Sequence, residues 1–354
     1  MITSILFYNF ILSFSLLLSF ISLRVNHKYC SIIFKFSVFL LLFTPSALRF
    51  NIGTDYINYE LIYQKIQNGE DIINLEFLYY MINFIFSKLG LGFEYIIIFT
   101  SFLFCLPIIK LIDKRTSIWF FFFVILHLYS PSFNIIRQAI SLSISCFALH
   151  QFFYFNHKKK FLILTIIASL FHISALFSLI IPLIYKIRIS LILRIIIISS
   201  SIVLSSILAN FILRPEFLNG TKYAYYLSEQ FMNKTEVGSG LGIILQLFPY
   251  FVISLLGNYI FRNHISKNVL INISVLIICM KFLILQIQIF SRLEYVLYIF
   301  SAIIFTELAR VAKYNFLNML LFLIFLLTVI LRFESSLLNG ENEIIPYTSI
   351  FGTI

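Results

Sequence analysis

The sequence predicts an all-α polytopic membrane protein, and three observations carry that reading. Sixty per cent of the 354 residues are apolar, only 12% are charged, and the mean hydropathy is +0.98. Soluble globular chains hold about 25% charged residues, and half that charge cannot coat a water-facing surface of this size. Disorder is excluded by the same composition, because disordered chains are poor in aromatic residues and this one has 43 Phe and 20 Tyr. The net charge of +11 would suggest nucleic acid in a soluble chain. In a bilayer protein it reflects Lys and Arg held in cytoplasmic loops, so no nucleic-acid partner is expected.

A span needs roughly 20 apolar residues, and the chain offers about ten such stretches. The first, 4–23, has no basic segment before it and no small-residue cleavage site after it, so it reads as a retained span rather than a signal peptide. The second is 34–48, followed by an outer loop over 49–75. The stretch 76–89 is too short to cross and predicts a re-entrant or interfacial helix on the outer side. Spans follow at 93–111, 117–131 and 137–155. Residues 161–185 lie between two basic flanks and are too few for two crossings. They predict two short helices that dip in and turn near Phe171-His172, which is tolerated only where such elements line a cavity or are buried in protein. The remaining spans are 190–213, 241–261, 268–290, 293–309 and 315–331, with an outer loop at 214–240 and an outer tail at 333–354. Residues 1–354 read as a single polytopic membrane domain.

Charge orients this map. Six connections are basic: Arg24/Lys28/Lys35, Lys110/Lys114/Arg115, Lys158/Lys159/Lys160, Lys186/Arg188/Arg194, Arg262/Lys267 and Arg310/Lys313. They hold 16 of the 26 basic residues, with Asp113 and Glu307 as the only acids in or beside them. Placing them in the cytoplasm puts nearly every carboxylate outside. Cys30, Cys105, Cys146 and Cys279 are scattered singly, so neither a disulfide nor a metal site is expected. No Walker motif, Gly-rich dinucleotide loop, GxSxG or HExxH occurs, which leaves nucleotide, serine-triad and zinc chemistry without support and no cofactor implied.

The residues that remain are polar groups where apolar cover would be cheaper. Arg49 opens the segment Arg49-Phe50-Asn51-Ile52-Gly53-Thr54-Asp55-Tyr56, in which Gly53 permits a turn and Thr54 or Asp55 can cap the next helix. Tyr56, Tyr59, Tyr63 and Ile66 then share one helical face, which reads either as an interfacial aromatic belt or as a sugar-binding ledge. Arg137-Gln138 begins a span, where Arg137 either snorkels or offers its planar fork to phosphate oxygens. His172 lies midway along 25 apolar residues, and an ionisable group inside a membrane segment is a functional hypothesis by default. Arg292 and Glu294 either pair with each other or serve as another clamp and a candidate base. Lys281 has no sequence-obvious partner and reads as snorkelling. On the charge-derived map Arg49, Asp55, Arg137, His172, Arg292 and Glu294 all fall at the outer face.

Several of these segments carry a family resemblance. Arg49-Phe50-Asn51-Ile52-Gly53-Thr54-Asp55-Tyr56-Ile57-Asn58-Tyr59, Asn134-Ile135-Ile136-Arg137-Gln138-Ala139, Ala168-Ser169-Leu170-Phe171-His172-Ile173-Ser174-Ala175, Arg292 and Pro346-Tyr347 occur in the order seen in the EpsG/Wzy group of bacterial polysaccharide polymerases, and the chain resembles that group over nearly its whole length. It departs at Glu76-Phe77, where many relatives have Glu-Pro. The resemblance implies a metal-independent, GT-C-like glycosyltransferase of the bacterial inner membrane, multi-pass, with its active site facing the periplasm. It implies as substrates undecaprenyl-pyrophosphate-linked oligosaccharide repeat units, joined into O-antigen or exopolysaccharide, with membrane lipids around it and a chain-length regulator as a partner of the family. Arg49, Arg137 and Arg292 are then expected at the pyrophosphates, Asp55 or His172 as base with Glu294 in reserve, and Tyr56, Tyr59 and Gln138 at the sugar. The rival readings are an O-antigen ligase, for which the loop 214–240 is small, and a flippase or transporter of the same unit, for which paired broken helices in both halves are missing.

Overall fold

The computed structural model describes residues 2–70, 75–212, 214, 240–286 and 288–353. The interior of the expected outer loop 214–240 therefore lies outside the described residues. The chain forms two compact units, Met1–Ser178 with Val329–Ile354, and Leu179–Thr328. Apart from two short strands near the C-terminus, β1 (Thr348–Ser349) and β2 (Gly352–Thr353), the regular structure among the described residues is helical.

The first unit contains α1 (Ile2–Arg24), α2 (Lys28–Leu48), α3 (Tyr56–Gln67), α4 (Phe77–Lys88), α5 (Phe93–Ile109), α6 (Trp119–Leu128), α7 (Ile136–Phe155) and α8 (Lys158–Ser169). Helices α1 and α2 form a hairpin, and packing then runs α2 on α5, α5 on α7 and α7 on α8, with α3 against α4. The basic connections gather at one end of this unit. Lys35 Nζ donates to the Ile112 carbonyl at 2.7 Å, Arg115 to the Tyr154 carbonyl at 3.0 Å, and Lys160 to Gln151 Oε1 at 3.0 Å.

At the opposite end, α2 stops at Leu48 because Arg49 takes extended backbone. A helix leaves its last four carbonyls without helical partners, and three of these find other donors here. The Pro45 carbonyl accepts from Tyr347 Oη at 2.9 Å, Ser46 from the Arg49 guanidinium, and Leu48 from the Ile350 N–H at 3.0 Å. The C-terminal tail is thus bound onto the end of α2, and Tyr8 Oη adds a bond to the Ile344 carbonyl at 3.0 Å.

The segment 161–185 is broken as expected. Helix α8 spans 12 residues, about 18 Å, against a hydrocarbon core of about 30 Å. The chain turns over Leu170–His172 and continues as a 3₁₀ helix, Ile173–Leu179, and then α9 (Ile180–Ile184). The turn is anchored from two sides: the Leu170 carbonyl accepts from the Leu78 N–H at 3.1 Å, and Ser141 Oγ donates to the His172 carbonyl at 3.1 Å.

The second unit contains α9, α10 (Leu191–Ile212), α11 (Leu241–Ile260), α12 (Lys267–Ile284), α13 (Glu294–Val311) and the first part of α14 (Phe316–Leu338). Helix α12 packs against α10, α11 and α13. Tyr250 Oη donates to Ser301 Oγ at 2.7 Å, linking α11 to α13 in the interior. Helix α10, by contrast, exposes Ile192, Ile196, Val203 and Ile207, the pattern of a helix facing lipid.

Among the described residues seven helices are long and apolar enough to span a bilayer: α1, α2 and α10 to α14. The sequence suggests about ten, and the difference lies in the first unit. Expected spans 93–111 and 117–131 are helices of 17 and 10 residues. Helix α6 is short because the chain leaves it for a 3₁₀ turn at Pro131–Phe133. Helix α7 has 20 residues but carries Arg137, Gln138, His150 and Gln151. Helix α14 runs on to Leu338, so the first residues of the expected tail are helical.

Candidate functional site

Seven of the nine expected site residues lie in the first unit, and Asn134 links two of the segments that bear them. Its Oδ1 accepts from Thr54 Oγ1 at 2.8 Å and from the Asp55 N–H at 2.8 Å, while its Nδ2 donates to Asn342 Oδ1 at 3.1 Å. One side chain therefore joins the loop after α2, the turn before α7 and the C-terminal tail. The loop can approach so closely only because residue 53 is Gly. Its φ is +97°, and a Cβ there would lie 3.0 Å from the Phe133 carbonyl oxygen and 3.1 Å from Asn134 Cα.

Arg49 is 3% exposed, with its guanidinium 5.1 Å from the centre of the Phe133 ring and bonded to Ser101 Oγ at 3.0 Å. Ser46 Oγ bonds the same Ser101 hydroxyl at 2.9 Å. Tyr8, Tyr56, Tyr129 and Tyr347 surround the charge electrostatically. Burial pushes the Tyr347 phenol up to about 12 despite Arg49 beside it, so the phenol remains a hydrogen-bond donor at neutral pH. Arg49 as placed fastens the loop to α5 and the turn before α7.

Arg137, in the first turn of α7, is ion-paired with Glu76 immediately before α4. The guanidinium also lies over the rings of Tyr59 and Tyr79, 5.8 and 5.9 Å from their centres. The four-residue face Tyr56, Tyr59, Tyr63 and Ile66 forms as expected, and all of it is buried. Tyr56 meets Phe93 edge-on at 5.4 Å and Tyr59 meets Tyr79 at 5.8 Å. Burial raises the Tyr56 phenol above its ordinary range. The face is thus the packing surface of α3, with Tyr59 alone of its tyrosines reaching the Arg137–Glu76 pair. Gln138 is buried beside Arg137.

His172 stands next to this pair. Ser141, which holds its carbonyl, is one turn beyond Arg137, and Leu78, which binds Leu170, is two residues past Glu76. The imidazole Nδ1 accepts from the Ser174 N–H at 3.3 Å and faces the Ser174 hydroxyl at 2.8 Å. A backbone N–H can only donate, so the neutral ring carries its proton on Nε2. Asp55 is half-buried after the Gly53 turn, and its amide rather than its carboxylate engages Asn134.

Arg292 and Glu294 belong to the second unit, Arg292 in the 3₁₀ turn Gln288–Leu293 and Glu294 at the start of α13. Glu294 accepts from Lys281 Nζ at 2.6 Å and from Tyr298 Oη at 3.0 Å. Lys281, read from sequence as snorkelling, therefore has a carboxylate partner. Arg292 is exposed.

Sequence reasoning did not select Glu76 or recognise Asn134 as a link. Glu76 carried a signal, being a carboxylate directly before an apolar helix. The departure at Phe77 leaves the helix start unchanged: α4 begins at Phe77, with Glu76 extended at φ −65° and ψ 139°. Among the described residues no group of three or more His, Cys, Asp or Glu side chains is arranged to hold a metal ion.

No curated protein and no solved structure matches the chain. The EpsG family matches residues 32–349, a stretch that includes Arg49, the Gly53 turn, Asn134, the Arg137–Glu76 pair, the His172 turn and Arg292. The chain belongs to the EpsG family.

Proposed function

We propose that this protein is a polysaccharide polymerase that joins undecaprenyl-pyrophosphate-linked oligosaccharide repeat units at the periplasmic face of the bacterial inner membrane. Membership of the EpsG family supports a polysaccharide-polymerase-like function. The observation that carries the finer reading is the Arg137–Glu76 pair, flanked by the His172 turn through Ser141 and Leu78 and by the Asp55 turn through Asn134, at the end of the first unit opposite its basic loops. That end is the outer one if Lys and Arg mark the cytoplasm.

The proposed reaction breaks the bond between the anomeric carbon of one chain and its carrier pyrophosphate, and forms a bond to a hydroxyl of the incoming unit. The hydroxyl proton passes to a base, and the pyrophosphate departs with the bonding electrons on its oxygen. Arg137 stabilises that developing charge, and its planar fork can bind phosphate while exchanging its bond to Glu76. His172, with its proton on Nε2, donates to the same oxygens. Asp55 is the base, because a base needs an acceptor atom in reach of the hydroxyl and His172 Nδ1 already accepts from Ser174. Arg49, enclosed by Phe133 and Ser101, positions the Asp55 turn. Tyr59 borders the sugar. Arg292 and Glu294 belong to the second unit and take no step in this reaction. No metal enters the scheme.

Deleting the gene and resolving surface polysaccharide on a gel tests this reading. A polymerase mutant keeps core bearing a single repeat unit and loses the ladder. Loss of every repeat unit would instead indicate a flippase, and polymer left on its carrier a ligase. Arg137→Ala is expected to abolish the ladder at parental membrane abundance, with Arg137→Lys restoring it only in part. A normal ladder from Arg137→Ala would remove the phosphate role.

A further inference from the structure

The second unit holds a cationic cavity that the proposed reaction does not use. It has a volume of about 750 Å³ and is lined by Arg262, His264, Arg310, Lys313, Tyr314 and Asn318, among others. Ligand sites fall at about 300–1,000 Å³. Glu294 and Glu307 are 13 positions apart on α13, about 20 Å along a helix, so the cavity is remote from the candidate base at the other end of that helix.

The cavity rests on a buried carboxylate. Glu307 is 0% exposed, accepts from His264 Nε2 at 2.7 Å, and holds Arg310 through bonds of 2.8 and 3.0 Å. His264 Nδ1 accepts from the Ser266 N–H at 3.1 Å, so the proton that binds Glu307 sits on Nε2 without the ring being charged. One carboxylate therefore orients a histidine and an arginine, while Arg262 and Lys313 are exposed at the rim. Glu307 stands against Arg262, Arg310 and Lys313, and among the described residues no acidic side chain lines the cavity. The site is electropositive.

Its depth identifies what it faces. The apolar spans Leu241–Ile260, Glu294–Tyr314 and Phe316–Leu338 all end or begin here, which places the cavity where hydrocarbon gives way to headgroups. Tyr259, Tyr314 and Phe316 are exposed around it, as aromatic residues are at that level. A second observation concerns Asn318, which lines the cavity at 2% exposure. Its Nδ2 donates to the Ile260 and Val311 carbonyls, and its Oδ1 is buried without a hydrogen-bond partner. An unpartnered acceptor on a residue of a cavity lined by three cations suits a ligand with both an anionic oxygen and a hydroxyl.

We propose that this cavity binds the headgroup of an anionic, hydroxyl-bearing phospholipid of the phosphatidylglycerol type, its phosphate held by Arg262, Arg310 and Lys313 and a glycerol hydroxyl donating to Asn318 Oδ1. Basic pockets between membrane helices on the cytoplasmic side bind such headgroups, and this end carries two of the basic connections. The binding is independent of the polymerase reading.

The test uses the full chain purified in detergent. Phosphatidylglycerol added in mixed micelles raises the thermal unfolding midpoint of the parent protein by several degrees, while phosphatidylcholine and inorganic phosphate do not. The double variant Arg262→Gln/Lys313→Gln, altered only at exposed positions, unfolds at the parental temperature in detergent alone and loses at least half of that shift. Native mass spectrometry shows one fewer retained phosphatidylglycerol in the variant. A full shift and full retention in the variant would overturn the assignment. So would an equal shift from phosphatidylcholine, and inorganic phosphate alone reproducing the effect would mark a site for soluble anions instead.

Discussion

Gly53 and Asn134 illustrate how few side chains hold the candidate site together. A methyl group at Gly53 meets the Phe133 carbonyl at 3.0 Å while the backbone sits at φ +97°. Gly53→Ala is therefore expected to cost about 1–3 kcal/mol and to lower both the unfolding temperature in detergent and polymer output. Asn134→Ala removes three hydrogen bonds at once and exposes the same dependence. The pair Arg137–Glu76 makes an asymmetric prediction. Glu76→Ala leaves a guanidinium that cannot lose its charge, at a cost on the order of 3 kcal/mol, whereas Arg137→Ala leaves a carboxylate that can take up a proton. Immunoblots of membranes should show a fall in abundance for Glu76→Ala and parental abundance for Arg137→Ala; no fall for Glu76→Ala would show that the pair is too solvated to matter. Arg49, Asp55, Arg137 and His172 were legible in the sequence because each is an ionisable group in costly surroundings. Their partners were not. Glu76 is 61 positions from Arg137, and Glu294 meets Lys281 across a break in the helix, distances that no local spacing rule reaches.

At the scale of elements, the break in 161–185 was legible, because a 25-residue apolar stretch with two basic flanks is too short for two crossings. Charge parity did not foresee that α6 would stop after 10 residues to let Pro131–Phe133 turn and deliver Asn134 to the loop. Hydropathy registers composition and is blind to where a helix yields to a turn. The start of α4 gives an element-scale test. Proline suits the first position of a helix and favours extended backbone before it, and Glu76 already has that backbone. Phe77→Pro is thus expected to keep membrane abundance and ladder within about twofold of the parent, the tolerance that N1 placement implies. A collapse of either would mean that the Phe77 ring or amide contributes more than helix initiation.

For the whole molecule, the central feature is the separation of charge. In the first unit, Lys35, Lys110, Arg115 and Lys160 are engaged at one end, while the Arg137–Glu76 pair and the contact of Arg49 with the tail lie at the other. Single cysteines at Ser169 and at Lys159 should react with impermeant thiol reagents from opposite sides of the membrane, Ser169→Cys from the periplasm; labelling of both from one side would overturn the orientation. The measurement that bears most directly on function is polymerisation by the purified chain supplied with an undecaprenyl-pyrophosphate-linked repeat unit in the presence of a metal chelator. The expected result is a ladder of lipid-linked oligomers that Arg137→Ala fails to make. Folded protein that leaves the repeat unit unjoined, or that forms oligomers only when divalent metal is restored, would contradict the account.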